Sequence, residues 1–229
     1  MKIRRVAFIH ASPAALPPVL GYYGEAAPDL EITNLLDDGL LRLFAKPDWA
    51  TAERRLGEML DVVREIYCVE AALLTCSAVP REMLERLRRK AGFPVLKIDE
   101  TLARAAVRAG QRIGLLVTFP PTLEVSRAQL DEAAREAGRS VEVVPRVVPD
   151  AYQALLAQDA ATHDRLVMAA ARELASEGID VLVLAQVSMV RVLSELQASV
   201  KVPVLTSLQT SLEALRELQL PLPRGEFGA

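Results

Sequence analysis

Disulfide and metal chemistry have little to work with in this chain. Its 229 residues hold two cysteines, Cys68 and Cys76, and two histidines, His10 and His163. Two thiols cannot staple a chain of this length. The four residues show no tetrahedral ligand spacing, so no metal is expected. Basic charge is not in excess either: 27 Lys and Arg stand against 30 Asp and Glu, a net charge of -3. Without a surplus to neutralise phosphates, a nucleic-acid partner is not expected. No stretch approaches the ~18 uninterrupted apolar residues of a membrane span. Behind the basic start the apolar run is only Val6 to Ile9, shorter than the ~7 residues of a signal-peptide core. A cytoplasmic protein without a membrane partner is expected. A Gly-rich phosphate loop is also missing, which removes the nucleotide-cofactor enzymes.

What remains is an ordinary globular composition, 51% apolar and 25% charged, with 14 Pro and 11 Gly. At about 150 residues per domain, one large unit or two small lobes fit. Short apolar runs occupy 5–9, 31–35, 69–74, 95–98, 112–117, 141–144, 181–184 and 202–205. Runs that are apolar throughout suit strands covered on both faces, as in parallel sheets. Between them, 51–66 places Leu56, Met59, Leu60, Val63 and Ile66 on one helical face. Segments 81–90, 122–137, 164–176 and 207–218 read likewise. This alternation predicts an α/β fold with mostly parallel sheets. Segment 39–50 has no clear period and reads as a loop or mobile flap, and 221–229 as a trailing tail.

An internal duplication is more informative. Val69-Glu70-Ala71-Ala72-Leu73-Leu74-Thr75-Cys76-Ser77-Ala78 has a partner in Ile179-Asp180-Val181-Leu182-Val183-Leu184-Ala185-Gln186-Val187-Ser188. Each runs into a helix, and each is followed by Pro-Val-Leu, at Pro94 and at Pro203, leading into another helix. Generic βαβ similarity explains part of this. Two related lobes facing each other is the preferred reading, with 1–97 plus 207–229 as the first lobe and 98–206 as the second.

Ligands in parallel α/β sheets bind beyond the carboxyl ends of the strands. His10, Ser12, Asn34, Thr75, Cys76, Ser77, Thr118, Thr122, Gln186 and Ser188 lie at or just after such ends. Cys76 sits between a strand and a helix, where free N–H groups lower a thiol pKa and favour thiolate. The bland alternative is a small buried hydrophobe. Cys68, at a helix-to-strand turn, reads as structural. Thr118 and Thr122 flank Phe119-Pro120-Pro121 and suit anion binding, or helix capping. His10 reads as a base or donor, or as uninvolved. His163 reads as a surface residue at a helix start, and Asp37-Asp38 as an acidic turn rather than a cation site.

Three segments together resemble the aspartate/glutamate/hydantoin racemase superfamily, and the resemblance spans about 5–218. They are Leu74-Thr75-Cys76-Ser77-Ala78, then Ile113-Gly114-Leu115-Leu116-Val117-Thr118 with Thr122 and Ser126 beyond, then Ala185-Gln186-Val187-Ser188-Met189. The resemblance implies two pseudosymmetric lobes with the active site in the cleft between them, and no metal or pyridoxal phosphate. It implies two cysteines facing each other across the substrate α-carbon. Cys76 matches the first, and Gln186, which exchanges no proton at neutral pH, stands at the second.

The expected protein is therefore a cofactor-independent enzyme acting on a small carboxylate or amino acid, with Cys76 as thiolate and Gln186 as hydrogen-bond donor to the reacting centre. Ser77, Ala78, Thr118, Thr122 and Ser188 would bind substrate carboxylates, with His10, Ser12 and Asn34 completing the pocket. Racemisation, isomerisation and one-cysteine decarboxylation of the arylmalonate type all fit, with His10 as one source of a second proton. A catalytically silent carboxylate-binding or regulatory protein is the competing class. A homodimer is the expected assembly.

Overall fold

The two short runs without a polar residue, 71–74 and 181–184, become fully buried inner strands of two separate sheets. The computed structural model describes residues 3–46 and 48–218; the reading of 221–229 as a tail lies outside them. The first lobe runs β1 (Arg5–His10), α1 (Leu16–Ala26), β2 (Glu31–Leu36), α2 (Gly39–Ala45), α3 (Trp49–Glu65), β3 (Ala71–Leu74), α4 (Arg81–Ala91) and β4 (Val95–Lys97). After α5 (Ile98–Ala109) the second lobe runs β5 (Arg112–Val117), α6 (Pro121–Glu136), β6 (Glu142–Val147), α7 (Pro149–Leu156), α8 (Ala160–Ala175) and β7 (Val181–Leu184). A 3-10 stretch (Val187–Val192), α9 (Leu193–Ser199) and β8 (Val204–Thr206) complete it, and α10 (Ser207–Glu217) follows.

Each sheet has four parallel strands, in the orders β2-β1-β3-β4 and β6-β5-β7-β8. The registers repeat as well. Ile9 pairs with Leu74 and Leu74 with Lys97; Leu116 pairs with Leu184 and Leu184 with Thr206. The duplication is therefore a duplication of βα architecture in two lobes. A carboxylate marks the same place in each. Glu70 Oε2 accepts the N–H groups of Arg4 and Arg5 at 2.6 and 2.9 Å, and Asp180 Oδ2 those of Gln111 and Arg112 at 2.8 Å each.

The lobes are stitched by exchanged helices. α5 leaves the first sheet and packs Leu102, Ala103, Ala106 and Val107 on Ile113, Leu115 and Val181 of the second. α10 leaves the second sheet and packs Leu208, Leu212 and Leu215 on Val6, Phe8 and Tyr23 of the first. Where the two helices meet, Thr101 Oγ1 and Thr210 Oγ1 lie 3.4 Å apart.

Several details differ from the sequence reading. Segment 39–50 is not a loop: 39–45 is helical, with Leu40 and Phe44 buried in the first-lobe core. Asp37 Oδ1 accepts the Gly39 N–H and Asp48 caps α3 through the Thr51 N–H, so acidic residues define both helix starts. α1 tolerates Pro17 and Pro18 because they stand at its start, where no N–H partner is needed. β6 runs on through Pro145, which an edge strand permits. α8 begins a turn early because Asp159 caps it, which turns His163 inward and buries it completely, correcting its surface placement. Cys68 takes the left-handed position (φ 50°) that closes α3, with Val69 N–H donating to the Val63 carbonyl. Gly114 of β5 is dictated by packing: a Cβ there would lie 2.5 Å from Ile179 Cδ1 and 3.1 Å from Leu174 Cγ. Among the described residues no helix is long and apolar enough to cross a membrane.

Candidate active site

Parallel strands of like register end at one level, so the residues after β3 and β7 face the space between the lobes. A cavity of about 340 Å³ lies there. Ser77 and Ala78 line it from the first lobe, Thr122 and Phe119 from the second, and Gln186 and Ser207 from the strand ends β7 and β8. Ile98 and Asp99, at the start of the exchanged helix α5, close it further.

Cys76 stands between the lining residues Thr75 and Ser77 without lining the cavity itself, half-buried against the first-lobe core. Burial pushes its thiol up from the ordinary value, against the pull of the Ala78 and Val79 N–H groups and of Lys97, with Asp99 adding to the rise. The donors are therefore those of the turn before Pro80 rather than of helix α4 itself, which starts at Arg81, and desolvation outweighs them.

Gln186 is held on the other side of the cleft. Its Oε1 accepts the Thr118 backbone N–H at 2.6 Å and the Thr118 hydroxyl at 3.1 Å. With the carbonyl end fixed twice, the amide NH2 is the end left for the cavity. Thr118 is fully buried and its donors are used by Gln186, so neither it nor Thr122 caps α6 through its side chain.

His10 is buried with both ring nitrogens engaged. Nε2 lies 3.0 Å from Asn34 Oδ1 and Nδ1 2.8 Å from Thr75 Oγ1. A carbonyl oxygen only accepts, so Nε2 carries the hydrogen and Nδ1 takes the Thr75 hydroxyl proton. Burial lowers the His10 pKa, partly offset by the Asn34 bond, which keeps the ring neutral. The trio ties the ends of β2, β1 and β3 together. Of the residues singled out in the sequence, Ser77, Ala78, Thr75, Thr122 and Gln186 are brought to the cavity. His10, Asn34, Ser12, Thr118 and Ser188 stand behind or beside it. Asp37 is bound to Arg55 at 2.6 Å.

One group escaped the sequence reading, in which 99 was only a helix start. Asp99 faces the cavity with its carboxyl buried, and Oδ2 lies 3.2 Å from Nζ of Lys97, itself buried. The alignment is poor, so Oδ2 accepts no hydrogen bond; Oδ1 accepts the Glu100 N–H at 3.1 Å. Burial raises the Asp99 pKa against the opposing pull of Lys97, and Glu100 adds to the rise. A signal existed: β4 pairs with β3, so the residues that follow Lys97 start at the same sheet edge as those that follow Leu74.

Residues 23–215 match the family model described as Asp/Glu/Hydantoin racemase. Curated proteins give no match. Among solved structures, allantoin racemase from Klebsiella pneumoniae aligns with a TM-score of 0.70 at 19% identity, covering 93% of this chain and 86% of that one. Maleate isomerase Iso from Pseudomonas putida S16 aligns at 0.62 and 17%, covering 93% and 92%. Unliganded arylmalonate decarboxylase aligns at 0.61 and 16%, covering 93% and 91%. At these identities the likeness is one of fold.

Proposed function

The chain belongs to the Asp/Glu/hydantoin racemase family, and from that premise we propose an enzyme of the racemase, isomerase or decarboxylase type that needs no cofactor. It acts at the carbon beside a carboxylate of a small substrate, with Cys76 as the thiolate. The observation that carries this reading is the constellation at the cleft. Cys76 receives the Ala78 and Val79 N–H groups at the end of β3, and Gln186 is fixed opposite at the end of β7.

The chemistry follows from that arrangement. A thiolate removes a carbon-bound proton only where the enediolate that forms is met by fixed donors. The hydroxyls of Ser77 and Thr122 and the amide NH2 of Gln186 supply such donors. Thr118 acts through Gln186 as a positioning residue. Ile98, Phe119, Val125 and Val187 add an apolar wall to the cavity. Gln186 does not itself carry a proton to carbon. That favours reactions with a single thiol, as in decarboxylation, or a second proton carrier elsewhere in the cleft.

The second reading is a carboxylate-binding protein on the same fold, favoured by the raised thiol pKa in the unliganded state. Proton NMR in D2O separates the two. Wild type and Cys76→Ala are incubated with pooled small amino acids, malonates, hydantoins and maleate. Cys76-dependent deuterium at an α-carbon, loss of a carboxyl group or double-bond isomerisation supports the enzyme and names the substrate class. Ligand line-broadening without turnover supports the binder.

A further inference from the structure

We propose that Asp99 is the proton carrier of the cleft and shares one exchangeable proton with Cys76, a role that rests on the enzyme reading above. Four observations support it. Asp99 is the one ionisable side chain lining the 340 Å³ cavity among the described residues. Its Oδ2 is buried, with the Lys97 ammonium as its one neighbour of opposite charge. Cys76 lies between Thr75 and Ser77, which line the same cavity as Asp99, and β3 and β4, whose ends lead into Cys76 and Asp99, are paired neighbours. Lys97, buried 3.2 Å from Oδ2, supplies the positive charge that lets the pair hold one net negative charge in an apolar site.

The cycle closes without a co-reactant. The Asp99 carboxylate takes the thiol proton, giving Cys76 thiolate and Asp99 carboxylic acid. The thiolate takes the α-hydrogen, and the C–H electron pair moves into the substrate carboxylate to form an enediolate. The enediolate carbon then takes the proton from Asp99, forming the new C–H bond. Cys76 thiol and Asp99 carboxylate are left as they began. The groups facing Asp99 during these steps are Lys97, Glu100 of its own helix and Cys76 beyond the end of β3. Burial raises the pKa of both Asp99 and Cys76.

The test uses the full chain in a Cys68→Ser background, so that Cys76 is the one thiol. Thiolate absorbance and iodoacetamide rate are followed against pH for wild type, Asp99→Asn and Asp99→Glu. A shared proton gives a two-step titration. Asp99→Asn collapses it to one step displaced to lower pH, because a neighbouring anion is removed. On the substrate found in the D2O screen, Asp99→Asn exchanges deuterium about 10²-fold more slowly despite holding more thiolate, and Asp99→Glu restores part of the rate. A merely electrostatic role predicts the opposite, turnover rising with thiolate. Identical titrations in wild type and Asp99→Asn, or undiminished exchange by Asp99→Asn, overturn the proposal. If Asp99→Asn does not fold, Lys97→Met serves: loss of the ammonium shifts both titration steps upward, and steps that stay in place overturn the pairing. A wild type silent on every substrate sinks the enzyme reading instead, while the titration still decides whether the proton is shared.

Discussion

Gln186 and Thr118 form a closed pair at the ends of β7 and β5, one amide oxygen accepting both the backbone N–H and the hydroxyl of the threonine. The carboxamide therefore occupies the donors a substrate carboxylate would otherwise take in the second lobe. Its NH2 is what the cleft sees. Removing a preorganised donor of this kind costs about 10²-fold in kcat. Gln186→Ala is expected to show that loss in steady-state kinetics. Gln186→Glu keeps both bonds to Thr118 but puts a negative charge where the substrate's own charge must approach, so KM rises more than kcat falls. Unchanged kinetics in both variants would remove Gln186 from the site.

Cys76 is expected to react late in a pH series. Desolvation raises its thiol pKa and the Ala78 and Val79 N–H groups do not fully compensate. In Cys68→Ser protein the iodoacetamide rate should reach half its plateau above the free-thiol value of ~8.5. A bound carboxylate analogue that dries the cleft further is expected to slow the labelling. A midpoint below the free value would mean that the Ala78 and Val79 N–H groups win.

His10 links three strands through two hydrogen bonds from a neutral ring. His10→Ala removes both bonds, but Asn34 is exposed to water and the Thr75 hydroxyl keeps the Ile9 carbonyl as a partner, so the loss is about 1 kcal/mol per bond. Urea unfolding at pH 7.5 should show it. The sign of the pH effect is fixed by the lowered pKa. Below the unfolded value of ~6.5 the unfolded chain binds the proton and the folded one resists it, so stability falls as pH drops toward the folded value. Wild type should lose more stability than His10→Ala between pH 7.5 and 5.5. Equal losses would show that the ring is charged or exposed.

These residues also show how far the chain could be read without coordinates. Strands 112–117 and 181–184 were legible to the residue, because an inner parallel strand is apolar along its buried length, with Arg112 only at the entry of the first. Helix 39–45 was not, because seven residues give too little period and its stability comes from Leu40 and Phe44 reaching a distant core. Ser77 and Thr122 were legible as strand-end and helix-start residues. The engagement of Gln186 with Thr118 was not, since it depends on β7 lying beside β5, 68 residues apart in sequence. Asp99 was hidden for the same reason. Its meaning comes from β4 lying against β3, a pairing that Pro-Val-Leu announces as a strand without saying which neighbour it takes.

Glu70 and Asp180 offer a test of the duplication itself. Each accepts two backbone N–H groups at the start of its lobe's first strand. Those donors hold the Asp180 carboxyl below its usual range; at Glu70 burial opposes the shift but the same kind of donors prevail. A depressed folded pKa stabilises fully above the unfolded value of ~4 and loses that contribution as pH falls through the folded one. Glu70→Gln and Asp180→Asn should therefore each lower the urea midpoint at pH 7, and the gap to wild type should narrow as pH falls below ~4. The two clasps sit in different lobes and share no partner, so the losses of the double variant should add. Narrowing for one variant alone would mean that the clasp is structural in only one lobe. A double variant losing much more than the sum would show that the exchanged helices α5 and α10 couple the lobes into one cooperative unit.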